Sequence, residues 1–314
     1  MLGLAFVAEP GANYSIGLDL GGTNLRAAAV DREGRLMDRV SRPTGGGEGR
    51  EAILAAMVEA IDTLRQRNGE RGLAGIGIAV PGFISAAEGV IRNSNNLASL
   101  EGFPVREELS RRLNTAVILE NDANAAALGE WWQGAGRGVD NLVLLTLGTG
   151  VGGGIMVGGH LLRGVDGMAA ELGHITVVQG GNPCGCGNRG CLEKHASAPA
   201  ISAMAQLMGL GAGLTAREVY DLAMAGEERA RTVFAAMGES LGVALAMLVN
   251  TFNFPLYLLG GGVAAAWDLF APAMLEELVK RSFTYRTTRP RVEAAGLGGD
   301  AGLYGAARLP WLQD

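Results

Sequence analysis

A strand, a glycine-rich turn and a second strand occur twice in this chain of 314 residues, and this repeat constrains the fold more than any other feature. The first copy reads YSIGLDL, GGTN and LRAAAVD, and the second reads NLVLLTL, GTGVGGG and IMVGG. Gly21 and Gly148 occupy equivalent places in the two copies. Helical spacing of apolar residues from Ile53 to Leu64 adds an amphipathic helix, so strands and helices alternate as in an α/β fold. We therefore expect a duplicated α/β protein whose ligand binds in a cleft between two domains.

The other predicted elements follow the same alternation. The expected strands are Leu36–Val40, AGIGIAV before Pro81, AVILE before Asn121 and PLYLLGGG with its turn. The expected helices are ANAAALGEWWQ, three that start near Ser197, Thr215 and Glu227, one over Trp267–Lys280 and a short one over Ala301–Leu309. Trp131 and Trp132 are expected to be core aromatics, although a stacking platform is an alternative.

Fifty of the residues are glycine, which is more than twice the average fraction of about 7%. The stretch Gly148–Gly153 matches the dinucleotide-binding pattern G-x-G-x-x-G, but in that fold the pattern opens a helix. The apolar segment IMVGG that follows has no helical spacing. We therefore predict a β-hairpin here, and a Rossmann-type nicotinamide oxidoreductase is the disfavoured alternative.

Lysine is nearly absent, which restricts how the chain could bind phosphate. Lys194 and Lys280 are the only lysines, and neither follows a glycine or lies in a V-A-I-K segment. The Walker A loop and the protein-kinase arrangement are therefore excluded. Phosphate binding would have to rely on backbone N–H groups, arginine and a metal ion. The net charge of −6, without a basic run, argues against a nucleic-acid partner.

Two apolar segments bear on localisation. The N-terminal MLGLAFVAEPG has no basic region, and its apolar run is too short for a signal peptide. Ser240–Trp267 carries no charge and is long enough to span a membrane, but Asn250, Asn253 and Pro255 interrupt it. A buried helix followed by a buried strand is the better prediction, and we expect a cytoplasmic protein without a membrane partner.

A histidine and three cysteines form the pattern H-x9-C-x-C-x4-C, which consists of His174, Cys184, Cys186 and Cys191. Four soft ligands in a short window suit a closed, tetrahedral and therefore structural zinc site. Gly185, Gly187 and Gly190 would permit the tight turns that such a site needs. A redox site would more usually have C-x-x-C, which this segment lacks.

The segment DLGGTN at Asp19–Asn24 offers a carboxylate at a strand end, free backbone N–H groups and a hydroxyl. These groups suit a polyphosphate that carries Mg²⁺. A tight hairpin whose Asp19 caps the turn is the structural alternative.

Together the motifs resemble a known superfamily. LDLGGTNLRAAAVD, ENDANAAALGE, LTLGTGVGGGI and LGGGVA are similar to the phosphate-1, catalytic, phosphate-2 and adenosine segments of sugar kinases, heat-shock ATPases and actin. ELGHITV and CGCGNRGCLE resemble the ROK family, in particular its bacterial glucokinases. The resemblance runs from about Tyr14 to the C-terminus. One departure is Met168-Ala169-Ala170, because the family more often has a glycine directly before the glutamate of ELGH.

The resemblance implies a duplicated, ribonuclease H-like fold of the actin and hexokinase superfamily, with an interdomain cleft. It implies a small α/β domain over residues 14–120, to which the C-terminal helix in 301–314 returns. The large α/β domain would cover residues 121–300 and contain the zinc motif. Family members often form dimers, so a homodimer is expected, although no sequence feature shows an interface.

The implied activity is ATP-dependent phosphorylation of glucose at its 6-hydroxyl, with Mg²⁺ accompanying ATP. Kinases for mannose, N-acetylglucosamine or N-acetylmannosamine share this framework and remain alternatives, as does polyphosphate as the phosphoryl donor. A sugar-responsive ROK regulator is a further alternative, but such proteins have a winged helix ahead of the first glycine turn. Only 18 residues precede Asp19, and none forms a basic recognition helix.

The resemblance also implies roles for individual residues. Asp122 resembles the general base of the family, and a helix N-cap is its alternative role. The alternative role of Asn96 is that of a turn residue. The alternative role of Glu193 is that of a charge at the start of a helix. The implied hexose contacts are Asn96, Asn121, Asp122, Glu171, His174 and Glu193. The implied ATP contacts are Gly21, Gly22, Thr23, Gly148, Thr149, Gly150, Gly152, Gly260, Gly261 and Gly262, with Asp19 for Mg²⁺.

Overall fold

The computed structural model of the chain describes residues 11–69, 72–85, 88–94 and 97–312, which divide into two compact units. The first unit contains the described residues up to Gly138, the segment Gly159–Ala169 and the described residues from Gly299 onward. The second contains Val139–Gly158 and Ala170–Gly298. The first ten residues, which were considered for a signal peptide, and Asn96 lie outside the described residues.

The first unit is built on a five-stranded sheet. Its strand order is β3-β2-β1-β4-β7, in which β1 is antiparallel to β2 and parallel to β4. The predicted hairpin around the first glycine turn is therefore confirmed. A separate pair, β5 and β6, forms a two-stranded sheet. The strands are β1 (Tyr14–Leu20), β2 (Asn24–Asp31), β3 (Leu36–Pro43), β4 (Leu73–Val80), β5 (Phe83–Ser85), β6 (Val90–Asn93) and β7 (Val117–Asn121).

Three helices follow strands of this unit: α1 (Arg50–Asn68), α2 (Val105–Leu113) and α3 (Asp122–Gln133). The helix predicted from apolar spacing is confirmed as α1, which buries Ile53, Leu54, Met57, Ile61 and Leu64 against the sheet. The sequence prediction did not include α2, although its buried residues recur every four positions. Because β7 is parallel to β4 and leads directly into α3, the junction at Asn121 lies at the carboxyl end of a buried strand.

The second unit repeats the arrangement of the first. Its strands include β8 (Leu142–Leu147) and β9 (Val151–Val157), and the two-residue β10 (His160–Leu161) falls in the first unit's Gly159–Ala169 segment. With β11 (Leu256–Gly260) and β12 (Arg291–Ala294), the order within the unit is β9-β8-β11-β12. β8 is antiparallel to β9 and parallel to β11. A glycine turn thus again joins two antiparallel strands, which confirms the predicted duplication.

The helices of the second unit are α4 (Glu193–Ala196), α5 (Ala198–Leu207), α6 (Ala216–Met224), α7 (Glu228–Phe252), α8 (Trp267–Arg281) and α9 (Tyr285–Thr288). The helices predicted near Ser197, Thr215 and Glu227 are confirmed as α5, α6 and α7. Among the described residues, α7 is the one helix long and apolar enough to cross a membrane, but 67% of its apolar window is buried inside the protein. Its apolar residues share a core cluster with Tyr257 and Leu259 of β11, so the predicted buried helix and strand are confirmed.

The last helix, α10 (Ala301–Arg308), belongs to the first unit. Glycines allow it to lie very close to its neighbours. A Cβ on Gly17 of β1 would lie 2.3 Å from the Leu303 carbonyl oxygen, and a Cβ on Gly305 would lie 1.7 Å from the Ala125 carbonyl oxygen. Trp132 of α3 packs edge-on against Tyr304, with 6.5 Å between ring centroids, as expected of a core aromatic.

Candidate active site

The first glycine turn, Gly21–Thr23, closes the hairpin between β1 and β2. The N–H of Gly21 donates to the carbonyl oxygen of Asn24 at 2.9 Å, and Thr44 Oγ1 donates to the carbonyl oxygen of Gly21 at 2.7 Å. Gly22 and Thr23 are exposed, and their N–H groups make no hydrogen bond to another described residue. The turn is therefore fixed at its base while its tip keeps N–H donors for an anion.

Asp19 faces Arg26 across this hairpin. The guanidinium of Arg26 forms an ion pair with the Asp19 carboxylate, and its Nη1 lies 3.5 Å from a carboxylate oxygen of Asp300. The hairpin alternative is correct for the backbone. Its second part, in which Asp19 caps the turn, is wrong, because no backbone N–H of the described residues donates to the Asp19 carboxylate, which pairs with Arg26 instead. Arg26 and Asp300 were missed in the sequence analysis. The register of a hairpin after DLGGTN would have placed Arg26 opposite Asp19.

Asn121 is the N-cap of α3. Its Oδ1 accepts hydrogen bonds from the N–H groups of Ala123 at 2.9 Å and Asn124 at 3.1 Å, and its Nδ2 donates to the Gly82 carbonyl oxygen at 3.1 Å. A side-chain amide can make about four such bonds, so one Nδ2 hydrogen remains for a ligand.

Asp122 is the first residue of α3, directly after the cap. The alternative in which Asp122 caps the helix is therefore wrong, because the neighbouring asparagine performs that task. One carboxylate oxygen of Asp122 accepts from the N–H of Ala123 at 2.8 Å. A negative charge at the first turn of a helix is stabilised by the helix dipole. The position thus places a carboxylate where β7 ends and α3 begins.

The second glycine turn, Gly148–Gly150, joins β8 to β9. The N–H of Gly148 donates to the carbonyl oxygen of Gly150 at 2.9 Å, and the N–H of Ala198 donates to the carbonyl oxygen of Gly148 at 2.8 Å. The N–H of Val151 donates to Oε2 of Glu193 at 3.2 Å. Because a strand and not a helix follows the turn, the Rossmann alternative is wrong.

Glu171, His174 and Glu193 lie close together in the second unit. Nε2 of His174 is 3.9 Å from a carboxylate oxygen of Glu171. Burial raises the pKa of the Glu171 carboxyl; the His174 ring opposes this shift, and the Glu193 carboxylate reinforces it. Two carboxylates and an imidazole in one place offer several acceptors and a donor, which suits a polyhydroxylated ligand.

The backbone before Glu171 adopts a strained conformation. Ala170 has a φ of 66°, in the left-handed region that favours glycine. This is the position at which the ROK family more often has glycine. The three-residue 3₁₀ helix Leu172–His174 then packs against β9 so closely that a Cβ on Gly173 would lie 1.9 Å from the Val151 carbonyl oxygen. The path of this segment therefore depends on small residues.

The four predicted metal ligands come together. One ligand atom from each of His174, Cys184, Cys186 and Cys191 lies within 4.8 Å of all the others. The Sγ atoms of Cys186 and Cys191 are 3.7 Å apart, and Nδ1 of His174 is 3.6 Å from Sγ of Cys184. A tetrahedral zinc with ordinary Zn–S and Zn–N bonds would separate such atoms by about 3.6–3.8 Å.

Ionisation of the buried thiol would depend on a neighbouring charge. Burial and the neighbouring thiols raise the pKa of Cys191 to about 12, so an ionised thiolate there requires a positive charge beside it. Gly187 (φ 92°) and Gly190 (φ 74°) have left-handed backbone, which glycine permits in tight turns. The φ of Gly185 lies outside the left-handed region.

The third glycine turn follows β11. Gly261 has a φ of 84°, and a Cβ there would lie 2.3 Å from the carbonyl oxygen of Leu147. Leu147 is the last residue of β8 and directly precedes Gly148. The turn at Gly260–Gly262 and the turn at Gly148–Gly150 therefore leave the same edge of one sheet, where parallel strands of α/β proteins present their ligand sites.

The comparisons with known proteins agree with this geometry. Residues 15–312 match the model of the ROK family. A glucokinase from Thermotoga maritima is 37% identical over 307 residues, which cover 94% of this chain and 96% of that protein. An N-acetylmannosamine kinase from Escherichia coli is 34% identical over 300 residues, which cover 94% and 97%.

A solved structure is also similar. The crystal structure of a ROK family glucokinase from Streptomyces griseus, in complex with glucose and AMPPNP, superposes with a TM-score of 0.78. It is 34% identical to this chain, and the match covers 94% of this chain and 98% of the other. On the family model, the sequence identity and the fold together, this chain belongs to the ROK family.

Proposed function

We propose that this chain is an ATP-dependent hexose kinase that phosphorylates glucose at its 6-hydroxyl. The observation that carries the proposal is the junction of β7 and α3, where Asn121 caps the helix and the Asp122 carboxylate follows in the first turn. The glucokinases among the relatives, and the glucose and AMPPNP bound in the Streptomyces griseus structure, support glucose and ATP as substrates.

In the proposed reaction Asp122 accepts the proton of the 6-hydroxyl. The hydroxyl oxygen forms a bond to the γ-phosphorus of ATP as the bond from that phosphorus to the bridging oxygen breaks, and ADP leaves. Phosphoryl transfer depends mostly on alignment and on neutralising the phosphate charge. A positioned base contributes a further ~10²–10⁴ in rate.

We assign the hexose contacts to the residues that the family resemblance implies. Asn121 supplies its remaining Nδ2 hydrogen, and the carboxylates of Glu171 and Glu193 accept hydroxyl hydrogens. Nδ1 of His174 faces a cysteine sulfur while its Nε2 faces Glu171. A metal on Nδ1 would keep the proton on Nε2, so that Nε2–H donates to a sugar hydroxyl. Asn96 remains part of the proposed set on the strength of the family resemblance alone.

The three glycine turns are the proposed ATP contacts. The exposed N–H groups of Gly22 and Thr23 suit phosphate oxygens, and the proposal also includes Gly21, Gly148, Thr149, Gly150, Gly152, Gly260, Gly261 and Gly262. Asp19 fits Mg²⁺ because its carboxylate is a hard oxygen ligand that is 19% exposed. When bound, Mg²⁺ neutralises charge on the β- and γ-phosphates.

We propose that His174, Cys184, Cys186 and Cys191 hold one structural zinc ion. The support is the mutual distance of at most 4.8 Å between the four donor atoms, which are soft ligands of the kind zinc prefers. Four protein ligands complete the coordination shell, so the ion acts as a cross-link of the segment between Glu171 and Glu193.

We also propose a homodimer that works in the cytoplasm. The support for a dimer is the family resemblance, and the support for the compartment is that the apolar helix α7 is a core helix. Size-exclusion chromatography with light scattering tests the dimer: a mass twice that of the 32.4 kDa chain supports it, and a monomer at micromolar concentration contradicts it.

The deciding experiment is a coupled ADP-release assay of the purified protein over a panel of glucose, mannose, N-acetylglucosamine and N-acetylmannosamine. The highest kcat/KM is expected with glucose. A parallel arm replaces ATP with polyphosphate and measures glucose 6-phosphate directly. A higher kcat/KM with N-acetylmannosamine would move the assignment to that sugar, as in the Escherichia coli relative. Sugar binding without phosphorylation would contradict the kinase and favour a sugar-responsive regulator.

A further inference from the structure

A buried ion pair lies directly before the Asn121–Asp122 junction. Glu120, on β7, has a side chain that is only 7% exposed. Its Oε2 accepts a hydrogen bond from Nε of Arg163 at 2.7 Å. Its Oε1 accepts from the N–H of Asn121 at 3.0 Å and from Nδ2 of Asn124 at 3.1 Å. Both carboxylate oxygens of Glu120 are therefore engaged within the first unit.

Arg163 is needed to offset the free-energy cost of burying the Glu120 carboxylate. A carboxylate removed from water is strongly destabilising unless a cation and hydrogen-bond donors compensate for the lost hydration. Arg163 lies 43 positions along the chain from Glu120, in the Gly159–Ala169 segment, and its side chain is 30% exposed. The pair therefore connects the Gly159–Ala169 segment to the end of β7. Neither stretch of sequence predicts this contact on its own.

The orientation of the Asn124 side-chain amide also depends on the Glu120 charge. Asn124 is 2% exposed, and its buried Oδ1 has no hydrogen-bond partner among the described residues. A buried oxygen without a partner is destabilising. The amide nevertheless points its Nδ2 toward Glu120. The attraction of the carboxylate thus determines the orientation of a side chain in the first turn of α3.

Glu120 consequently holds the junction on both sides of Asp122. On one side it fixes the backbone N–H of Asn121, and on the other it fixes the side chain of Asn124. We propose that Glu120 and Arg163 form a positioning pair that sets the geometry of Asn121 and Asp122 toward the sugar. This inference rests on the proposed kinase function, since it deepens the role of the same site. Neither residue of the pair is assigned a contact with the sugar or with ATP.

Four variants test the pair: E120Q, R163M, the double variant E120Q/R163M and the conservative R163K. E120Q keeps the size of the side chain and removes its charge. The matched control is R92M, because Arg92 pairs with Glu88 at 2.6 Å in the same unit, where both side chains are more than half exposed. The measurements are kcat, the KM for ATP, glucose affinity by calorimetry and the melting temperature.

A displacement of about 1 Å at reacting groups costs on the order of 10²-fold in rate. We therefore expect E120Q and R163M each to lower kcat by about 10²-fold and to weaken glucose binding about tenfold. The KM for ATP should change less than about twofold, and R163K should lie between wild type and R163M. The double variant should be no worse than the worse single variant, because residues that act as one unit are not additive. R92M should match wild type.

Glucose affinity is the readout that separates positioning from simple stabilisation. A purely structural pair would lower the melting temperature or the active fraction of E120Q and R163M while the active molecules bound glucose as in wild type. That result, or additive effects in the double variant, would overturn the inference. If R163M does not fold, R163K provides the test. A kcat and a glucose affinity equal to those of wild type in R163K would overturn the inference. Failure of the proposed function appears separately, as a wild-type protein that phosphorylates no sugar of the panel.

Discussion

The backbone N–H of Val151 donates a hydrogen bond to the carboxylate of Glu193 at 3.2 Å. A Cβ on Gly150 would lie 2.5 Å from the same carboxylate oxygen, so a larger residue there would displace this contact. Glu193 follows Cys191 by two residues, and Val151 begins the strand after the second glycine turn. One carboxylate therefore connects the end of the cysteine segment to the turn proposed to contact ATP.

This contact predicts different effects for two substitutions of Glu193. Glu193→Gln retains an oxygen that can accept from Val151, whereas Glu193→Ala retains none. Both variants should raise the KM for glucose, because the proposed sugar contact loses its charge. Only Glu193→Ala should also raise the KM for ATP, by about tenfold, which is the scale of a lost hydrogen bond to a charged group.

The neighbouring Lys194→Met is the control for this pair of variants, since Lys194 lies 3.8 Å from the other oxygen of Glu193 and is not part of the proposed site. Steady-state kinetics with each substrate varied in turn provide the measurement. An unchanged KM for ATP in Glu193→Ala would show that the glycine turn holds its shape without this carboxylate.

Local patterns in the sequence predicted the two hairpins, because a glycine-rich turn between apolar runs specifies an antiparallel pair whatever the rest of the chain does. The grouping of the four candidate metal ligands was predicted for a similar reason, since they fall within one short segment. The N-cap could not be assigned in this way. Asn121 and Asp122 are adjacent, and both residue types are favoured caps, so only the backbone conformation distinguishes them.

The ion pairs were not predicted, because they depend on contacts between distant parts of the chain. Arg163 reaches Glu120 across 43 positions, and Asp300 reaches Arg26 from the other end of the chain. Strand β12 was also missed. Its residues Arg291–Ala294 alternate between polar and apolar, but the run is only four residues long and none of its side chains is fully buried, so the signal is weak.

Asp122→Asn tests the general base. The substitution keeps the size of the side chain, but an amide cannot accept the proton of the sugar hydroxyl. We expect kcat to fall by at least ~10²-fold, while glucose binding measured by calorimetry stays within about tenfold of wild type. Asp221→Asn, on the exposed face of α6, is the matched control and should leave kcat unchanged. Near-normal turnover in Asp122→Asn would remove Asp122 from the proposed mechanism.

Ala170→Gly tests the strain before Glu171. A non-glycine residue with a φ of 66° carries a cost of roughly 1–2 kcal/mol, which glycine relieves. Glycine also loses more chain entropy on folding, by about 0.5–1 kcal/mol, so the two effects largely offset each other at this position. At Ala169, whose φ is not positive, only the entropic cost applies.

Denaturant unfolding should therefore show that Ala170→Gly is at least as stable as wild type, and that Ala169→Gly is less stable by roughly 0.5–1 kcal/mol. Equal destabilisation by the two substitutions would mean that the left-handed backbone at Ala170 stores no strain.

Loss of the metal site is expected to weaken sugar binding more than ATP binding. His174 would be both a zinc ligand and a sugar contact, and Glu171 lies 3.9 Å from its ring. Removing zinc should loosen this segment first, because metal binding and local folding are coupled. We expect one zinc ion per chain by elemental analysis of the wild type. Cys191→Ala, at a fully buried ligand, should lose the metal and most of the glucose affinity.

Glu193 determines how much the loss of the metal also weakens ATP binding. Because its carboxylate bonds to Val151, Cys191→Ala should also weaken ATP binding, but by a smaller factor than glucose binding. Asn188→Ala is the control in the same segment: Asn188 donates to Thr176 Oγ1 at 2.9 Å and is not a metal ligand, so the variant should keep zinc and both affinities. Calorimetric titrations of each variant with glucose and with AMPPNP give the two affinities. A zinc-free Cys191→Ala protein that bound glucose like the wild type would show that the cluster is independent of the sugar site and that His174 has no double role.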